Sequence, residues 1–347
     1  MSVYIGRGVR RGIGVGPGVS REDDRVRADL GPMRRSFDGI AARLPPCVKT
    51  SRRQFFGRLA RVVLSCSIAS CSVLAGAFPA RATAQEARIV ALGGSITEIL
   101  YELGAQDRIV GVDSTSLAPP SALKDKPSVG YVRALSAEGV LSLRPTLVLA
   151  IEGAGPPAAL QLIRATGTPI EVIPDAPTAE GVRRKIELLG AAVGEERKAA
   201  ELERDVAGRF KALDALRAKI ATPVRALFVL SFANGRTLVG GRGTSAAGML
   251  ALAGAVNAAE AIDGYKPMTD EAITNAAPDF VVMMKNDDHA TNAESLFASQ
   301  AFALTPAART RGLVAMDGLF LLGFGPRTPD AAITLIRAFY PSLAAAP

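Results

Sequence analysis

The feature that most restricts this chain is a pattern it carries twice. Gly130-Tyr131-Val132-Arg133-Ala134-Leu135-Ser136-Ala137-Glu138 is echoed by Gly264-Tyr265-Lys266-Pro267-Met268-Thr269-Asp270-Glu271. In each copy a proline, Pro145 or Pro278, follows the glutamate by seven residues and precedes a short apolar run. A repeated unit of this kind implies two related lobes. Between the copies, residues 178–189 and 195–220 are rich in Ala, Leu, Glu, Lys and Arg and lack proline. They read as two helices, the second of about 26 residues and ~40 Å, long enough to bridge the lobes.

The flanking segments supply strands. Residues 88–92 are apolar, Gly93-Gly94-Ser95 turns, and 96–103 is helical up to Gly104, with Ser95 and Glu98 at capping-box spacing. Apolar runs recur at 109–112, 146–151 and 170–173, and again at 224–231, 280–284 and 313–316. The expected architecture is therefore α/β: two lobes with parallel-type sheets joined by one long rigid helix, with a ligand cleft between them. The N-lobe is expected at about 85–190, the linking helix at about 195–220 and the C-lobe at about 222–347.

Charge and cysteine separate a leader from this body. Residues 1–84 hold 15 basic and 5 acidic side chains, the rest of the chain 26 and 28, so the overall charge of +8 is no signature of a nucleic-acid partner. All three cysteines (Cys47, Cys66, Cys71) precede residue 85, and His289 is the one histidine. Once the leader is removed, disulfides, thiolate sites and histidine-cluster zinc sites are excluded by count. Residues 50–84 contain Arg52-Arg53-Gln54-Phe55-Phe56, an apolar run over 62–79 and the small-residue site Ala82-Thr83-Ala84. That combination reads as a Tat-type signal peptide cleaved near Ala84 and implies a periplasmic protein; a lipid anchor at Cys71, in Ile68-Ala69-Ser70-Cys71, is the less favoured alternative. Residues 1–49 read as a disordered extension or a mis-assigned start, with Met33 an adequate alternative.

Several segments together resemble the periplasmic hemin-binding proteins of ABC importers, within the iron-siderophore and cobalamin binding-protein family. They are Ile89-Val90-Ala91-Leu92-Gly93-Gly94-Ser95-Ile96-Thr97-Glu98, Val112-Asp113-Ser114-Thr115-Ser116, Val129-Gly130-Tyr131-Val132-Arg133, Gly240-Gly241-Arg242-Gly243-Thr244, Gly264-Tyr265-Lys266-Pro267-Met268 and Leu322-Gly323-Phe324-Gly325-Pro326-Arg327. The resemblance spans residues 88–345 and implies a binding protein without catalysis that delivers hemin, as transported ligand and not catalytic cofactor, to an inner-membrane permease dimer. It also implies a monomer, and it places Glu138 and Glu271 at the positions that dock onto the permease. In hemin-binding relatives the loop after Ser116 supplies an iron-ligating tyrosine; here that position is Ala118. Another axial ligand is required.

Ferric haem takes a phenolate or a neutral imidazole, and its propionates take Arg, Lys or backbone N–H donors. The metal-ligand candidates are accordingly His289, Tyr131 and Tyr265, with a hydrogen-bonded tyrosine at the cleft edge as the alternative for each phenol. Met268, Met283 and Met284 could pad a ring face or ligate through sulfur, core packing being the better reading for at least one. Arg133, Arg242 and Arg327 are the cationic hemin-binding candidates. A ferric siderophore or corrinoid is the alternative ligand, and a periplasmic hydrolase the rival of another class; one histidine and no cysteine leave that rival short of parts.

Overall fold

The computed structural model describes residues 87–233, 236–285 and 293–344. The first lobe comprises β1 (Ile89–Leu92), α1 (Gly94–Glu102), β2 (Ile109–Val112), α2 (Ser121–Asp125), α3 (Ala137–Ser142), β3 (Leu147–Ile151), α4 (Pro157–Ala165) and β4 (Ile170–Ile173). Then come α5 (Ala179–Val193) and α6 (Glu196–Arg217). The second lobe begins with β5 (Arg225–Ala233), β6 (Arg236–Gly240), α7 (Ser245–Leu252), β7 (Val256–Asn257), β8 (Tyr265–Met268) and α8 (Asp270–Ala276). It continues with β9 (Phe280–Met284), α9 (Ala293–Phe297), α10 (Pro306–Thr310), β10 (Leu313–Met316), α11 (Gly318–Leu322), α12 (Thr328–Phe339) and α13 (Pro341–Ala344).

The first sheet runs β2-β1-β3-β4, all parallel. Its central strand β1, Ile-Val-Ala-Leu, is buried at every residue, as a parallel strand covered on both faces must be. The second sheet, β10-β9-β5-β6-β8, is mixed, which corrects the expectation of parallel-type sheets in both lobes. Strand β6 begins three residues after β5 ends, too close for the crossover a parallel return needs, so it pairs antiparallel, as does β8 on β6. A register shift between Val229 and Ser231 marks a bulge in β5. Pro267 lies in the edge strand β8, where a missing N–H is tolerated.

The internal echo extends to the backbone. Ser136 caps α3 through Gly139 N and Thr269 caps α8 through Ala272 N, both at 3.2 Å. The helices then end on left-handed residues, Arg144 (φ 46°) and Ala277 (φ 45°), each directly before the repeated proline. Strands β3 and β9 start two residues after those prolines. Ahead of the caps the copies diverge: Tyr265 opens β8, whereas Tyr131 lies in an irregular loop.

Two local expectations need correction. Ser95 and Glu98 form no capping box: Gly93 (φ 133°) holds the N-cap position of α1 with no side-chain cap, and both side chains are buried within the helix. Their partners are distant in sequence, and the start of α1 is bonded instead by the loop after β2. Asp113 Oδ1 accepts from Gly93 N at 2.8 Å and Thr115 Oγ1 from Gly94 N at 3.0 Å. The long helix is 22 residues, about 33 Å. It ends at Arg217, with Ala218 still bonded to Asp214 as the cap, because the following N–H groups, of Lys219 and Ile220, turn back only three residues, to Leu216 and Arg217.

Helices α5 and α6 form a hairpin so close that a Cβ at Gly190 would sit 2.3 Å from Ala199 Cβ. One apolar core passes through this hairpin, from Ile96 and Leu149 in the first lobe, through Ile186 and Phe210, to Phe228, Val282 and Phe324 in the second. Each sheet also has an outer cluster, around Val148 in one lobe and Val281 in the other. In the middle of the shared core lies a charge. Lys185 is fully buried and its Nζ donates to Asp175 Oδ1 (2.6 Å), Ser95 Oγ (3.2 Å) and the Phe324 carbonyl (3.2 Å), joining α5, the loop after β4, α1 and the second lobe.

Replacing Lys185 by Ala leaves Ser95 Oγ and the Phe324 carbonyl without their donor and opens a void at this junction, while the partly exposed Asp175 can turn to water. The lost hydrogen bonds and packing are expected to cost about 2 kcal/mol. Urea unfolding followed by far-UV circular dichroism should show the lowered midpoint; a midpoint within error of wild type would mean that the pair contributes nothing to the junction.

Candidate functional site

The seam between the lobes is lined by groups that the core holds in fixed positions. Burial pushes the Lys185 ammonium down from its ordinary pKa, with Asp175 and then Glu98 pulling it back up. Glu98, almost fully buried, receives a two-pronged contact from Arg327, at 2.7 Å from Nε and 3.1 Å from Nη2. The Arg327 guanidinium also lies over the Phe320 ring, 5.4 Å from its centroid. Hydrogen bonding to Glu98, against the cost of burial, holds its pKa above the usual value. Arg327 is thus committed to the first lobe.

Tyr265 is half-buried and makes an edge contact with Phe228, ring centroids 6.3 Å apart. Burial raises its phenol pKa. The Ala246 N–H at the start of α7, the Thr244 hydroxyl and the Arg133 charge oppose that rise, and Asp175 adds to it. Two charged residues of the first lobe therefore act on a phenol of the second. Tyr131, 50% exposed, follows Gly130 (φ 91°), whose carbonyl accepts from Ser114 N at 2.9 Å. Its loop is braced by the bonds Leu135 N to Gly155 O and Gly155 N to Val132 O, both 2.9 Å.

Arg242 is placed differently. Its Nη2 lies 2.8 Å from Asp263 Oδ1, with both side chains exposed, and its N–H donates to the Ile262 carbonyl at 2.7 Å. The loop does close on a helix start, Thr244 capping α7 through Ala247 N at 3.1 Å. Met283 is core; Met284 packs against the shared core and Met268 against the outer cluster of the second lobe. His289 lies outside the described residues.

The loop that leads to Ala118 is fixed from its start. Asp113, fully buried, accepts from Gly93 N, Thr115 N, Thr115 Oγ1 and Ser116 Oγ at 2.6–3.0 Å. Thr97 and Ser116 hydroxyls meet at 2.7 Å. Beyond this knot Leu117 is 47% exposed and Ala118 half-buried. Sequence reading missed Lys185, Asp175 and this role of Glu98. The signal for Lys185 was available: with Val182, Ile186, Leu189 and Val193 it falls on the apolar stripe of α5, where an unpartnered lysine does not belong.

A sequence profile described as periplasmic binding protein matches residues 89–318. The chain belongs to the periplasmic binding protein family. Among solved members it is similar to the periplasmic haem-binding protein RhuT from Roseiflexus sp. RS-1 in apo form, at 39% identity and TM-score 0.71, covering 74% of this chain and 99% of that one. It is also similar to the periplasmic haem-binding protein BhuT in complex with two haems, at 40% identity and TM-score 0.70, over 74% and 98%. A Bacillus subtilis relative, the uncharacterized ABC transporter substrate-binding lipoprotein YvrC, is 28% identical over 257 residues, 73% of this chain and 80% of its own length. Family members and these neighbours are binding proteins, and among the described residues no helix of this one is long and apolar enough to cross a membrane.

Proposed function

We propose that this chain is the substrate-binding component of an ABC importer and carries haem in the cleft between its lobes, as cargo and without catalysis. The observation that carries the reading is Tyr265, half-buried against Phe228 in the second lobe, on which the Arg133 charge of the opposite lobe acts. With Ala118 in the loop after β2, the iron's phenolate comes from Tyr265; the Ala246 N–H and the Arg133 charge pull its pKa down against the larger upward push of burial, and iron itself displaces the proton. Identity near 40% to RhuT and BhuT over almost their whole lengths supports haem as the ligand class. Glu138 and Glu271 are exposed in the first turns of α3 and α8 and have no ion-pair partner among the described residues. One carboxylate on each related lobe suits a permease dimer that presents two equivalent basic pockets. Export by the Tat route, with cleavage after Ala84 and no lipid at Cys71, rests on Arg52-Arg53 and on Ala82-Thr83-Ala84. The protein acts as a monomer.

Titration of the processed protein with ferric haem should develop a saturable Soret band that Tyr265→Phe shifts or abolishes. Burial keeps the free phenol protonated well above neutrality, so ligation releases a proton. Affinity should then fall by up to roughly tenfold per unit as pH drops from 8 to 6, and Tyr265→Phe should flatten that slope. A Soret response confined to Tyr131→Phe or His289→Ala transfers the ligation to that residue. Binding of only a ferric siderophore or a corrinoid sinks the haem reading.

Glu138→Ala with Glu271→Ala should leave haem affinity within about twofold of wild type while reducing haem-stimulated ATP hydrolysis by the cognate permease at least roughly tenfold, as the loss of two interfacial charges implies. Wild-type stimulation by the double variant would remove the docking role.

Changing Arg52 and Arg53 to Lys should hold precursor in the cytoplasm, read by fractionation. A mature N-terminus at Cys71 would replace cleavage after Ala84 with lipidation.

A further inference from the structure

The second lobe presents a wall that its sequence does not advertise. Without its bulge, β5 would alternate strictly, and Ser231 would point with Leu227 and Val229 into the outer cluster of that lobe. The shift between Val229 and Ser231 moves the strand by one residue, so Phe232 packs in the outer cluster and Ser231 and Ala233 emerge on the opposite face. Strand β6 places Arg236, Leu238 and Gly240 on that same face, and β8 adds Tyr265 and Pro267, with register pairs Leu238–Pro267 and Gly240–Tyr265. Near Phe228 this face belongs to the core shared with the first lobe. Farther along, it leaves the core and becomes a groove of about 590 Å³ lined by Ser231, Ala233, Arg236, Leu238 and Pro267.

The lining is chemically specific. Ser231 and Ala233 are small, Pro267 is a flat ring and Leu238 is apolar, so together they offer a level, largely apolar surface. The volume falls in the range of roughly 300–1,000 Å³ usual for small-molecule sites. Arg236 stands at the far end, exposed and without an ion-pair partner among the described residues, whereas Arg242 is paired with Asp263 and Arg327 with Glu98. From Gly240, beside Tyr265, to Arg236 is four residues of strand, about 13 Å. A level apolar wall between a phenol and a guanidinium without an ion-pair partner among the described residues fits a planar macrocycle bearing a peripheral carboxylate. We infer that this face of β5, β6 and β8 is the ring-binding wall of the cleft and that Arg236, not Arg242 or Arg327, pairs with a ligand carboxylate. The inference rests on the haem reading above and adds the group that selects for the acid.

The test compares ferric haem with its dimethyl ester, which keeps the ring and iron and loses both carboxylates, in titrations of the processed protein and of Arg236→Gln. Charge-assisted pairing at an exposed site predicts roughly five- to tenfold weaker haem binding by Arg236→Gln, with ester binding unchanged. Arg236→Lys, which keeps the charge and loses the fork, should fall between. Ser231→Tyr, which raises a ring from the level wall, should weaken haem and ester alike. Equal losses for haem and ester in Arg236→Gln, or no loss for haem, would overturn the carboxylate role. Ser231→Tyr binding both ligands as wild type does would overturn the wall. Failure of the wild-type protein to bind haem would instead bring down the haem reading and this inference together, an outcome visible before any variant is made.

Discussion

An ammonium group with no access to water is the constraint around which the centre of this protein is arranged. Burying the Lys185 charge would cost several kcal/mol if it were unpaired, so the chain must bring it three acceptors from elements far apart in sequence. Asp175, Ser95 and the Phe324 carbonyl do so, and each tie has a consequence. Ser95, turned inward, cannot cap its own helix. The first N–H groups of α1 then depend on Asp113 and Thr115, and that dependence fixes the loop running on to Ala118. Phe324 ties in the second lobe, and Asp175 is left where its charge acts on Tyr265. One buried cation thereby connects the orientation of the lobes to the groups that face each other across the cleft.

The same arrangement explains which parts of the molecule could be read from sequence. Ile109–Val112, Ile170–Ile173, Phe280–Met284 and Leu313–Met316 were legible because a short apolar run between polar residues has few alternatives to a buried strand. The Ser136 and Thr269 caps are local, with partners three residues away inside the repeated segment. The pairing of Ser95 with Lys185 is 90 residues long and that of Glu98 with Arg327 is 229, so both looked like local capping. Strands β6 and β8 went unread for another reason: Gly240 and Pro267 depress strand propensity, although Asn234-Gly235 is a dipeptide typical of tight hairpins. Of the site, the Gly-Tyr echo pointed to Tyr131, Arg133 and Tyr265. It could not tell the exposed Tyr131 from the half-buried Tyr265 packed on Phe228.

The continuity of the core through α5 and α6 bears on how such a cleft works. Lobes that share Phe210, Phe228 and Phe324 in one packed cluster cannot swing apart without opening that cluster. The cleft walls are therefore set before a ligand arrives, and little conformational freedom remains to be lost on binding. Arginines in the seam follow the same economy. Arg327 is held on Glu98 and Phe320 as structure, which leaves fewer cations free to bind anions indiscriminately.

Pro267 has an effect beyond the cleft. Strand β8 is the outer strand of the second sheet, and an outer strand ordinarily offers its unused N–H and C=O groups to any extended peptide that drifts against it. A proline there removes a donor and fixes the backbone where an incoming strand would have to align. The residue that gives the groove a flat facet from one side also makes the sheet a poor template at its margin, so the protein can keep an open face for its cargo without inviting edge-to-edge growth.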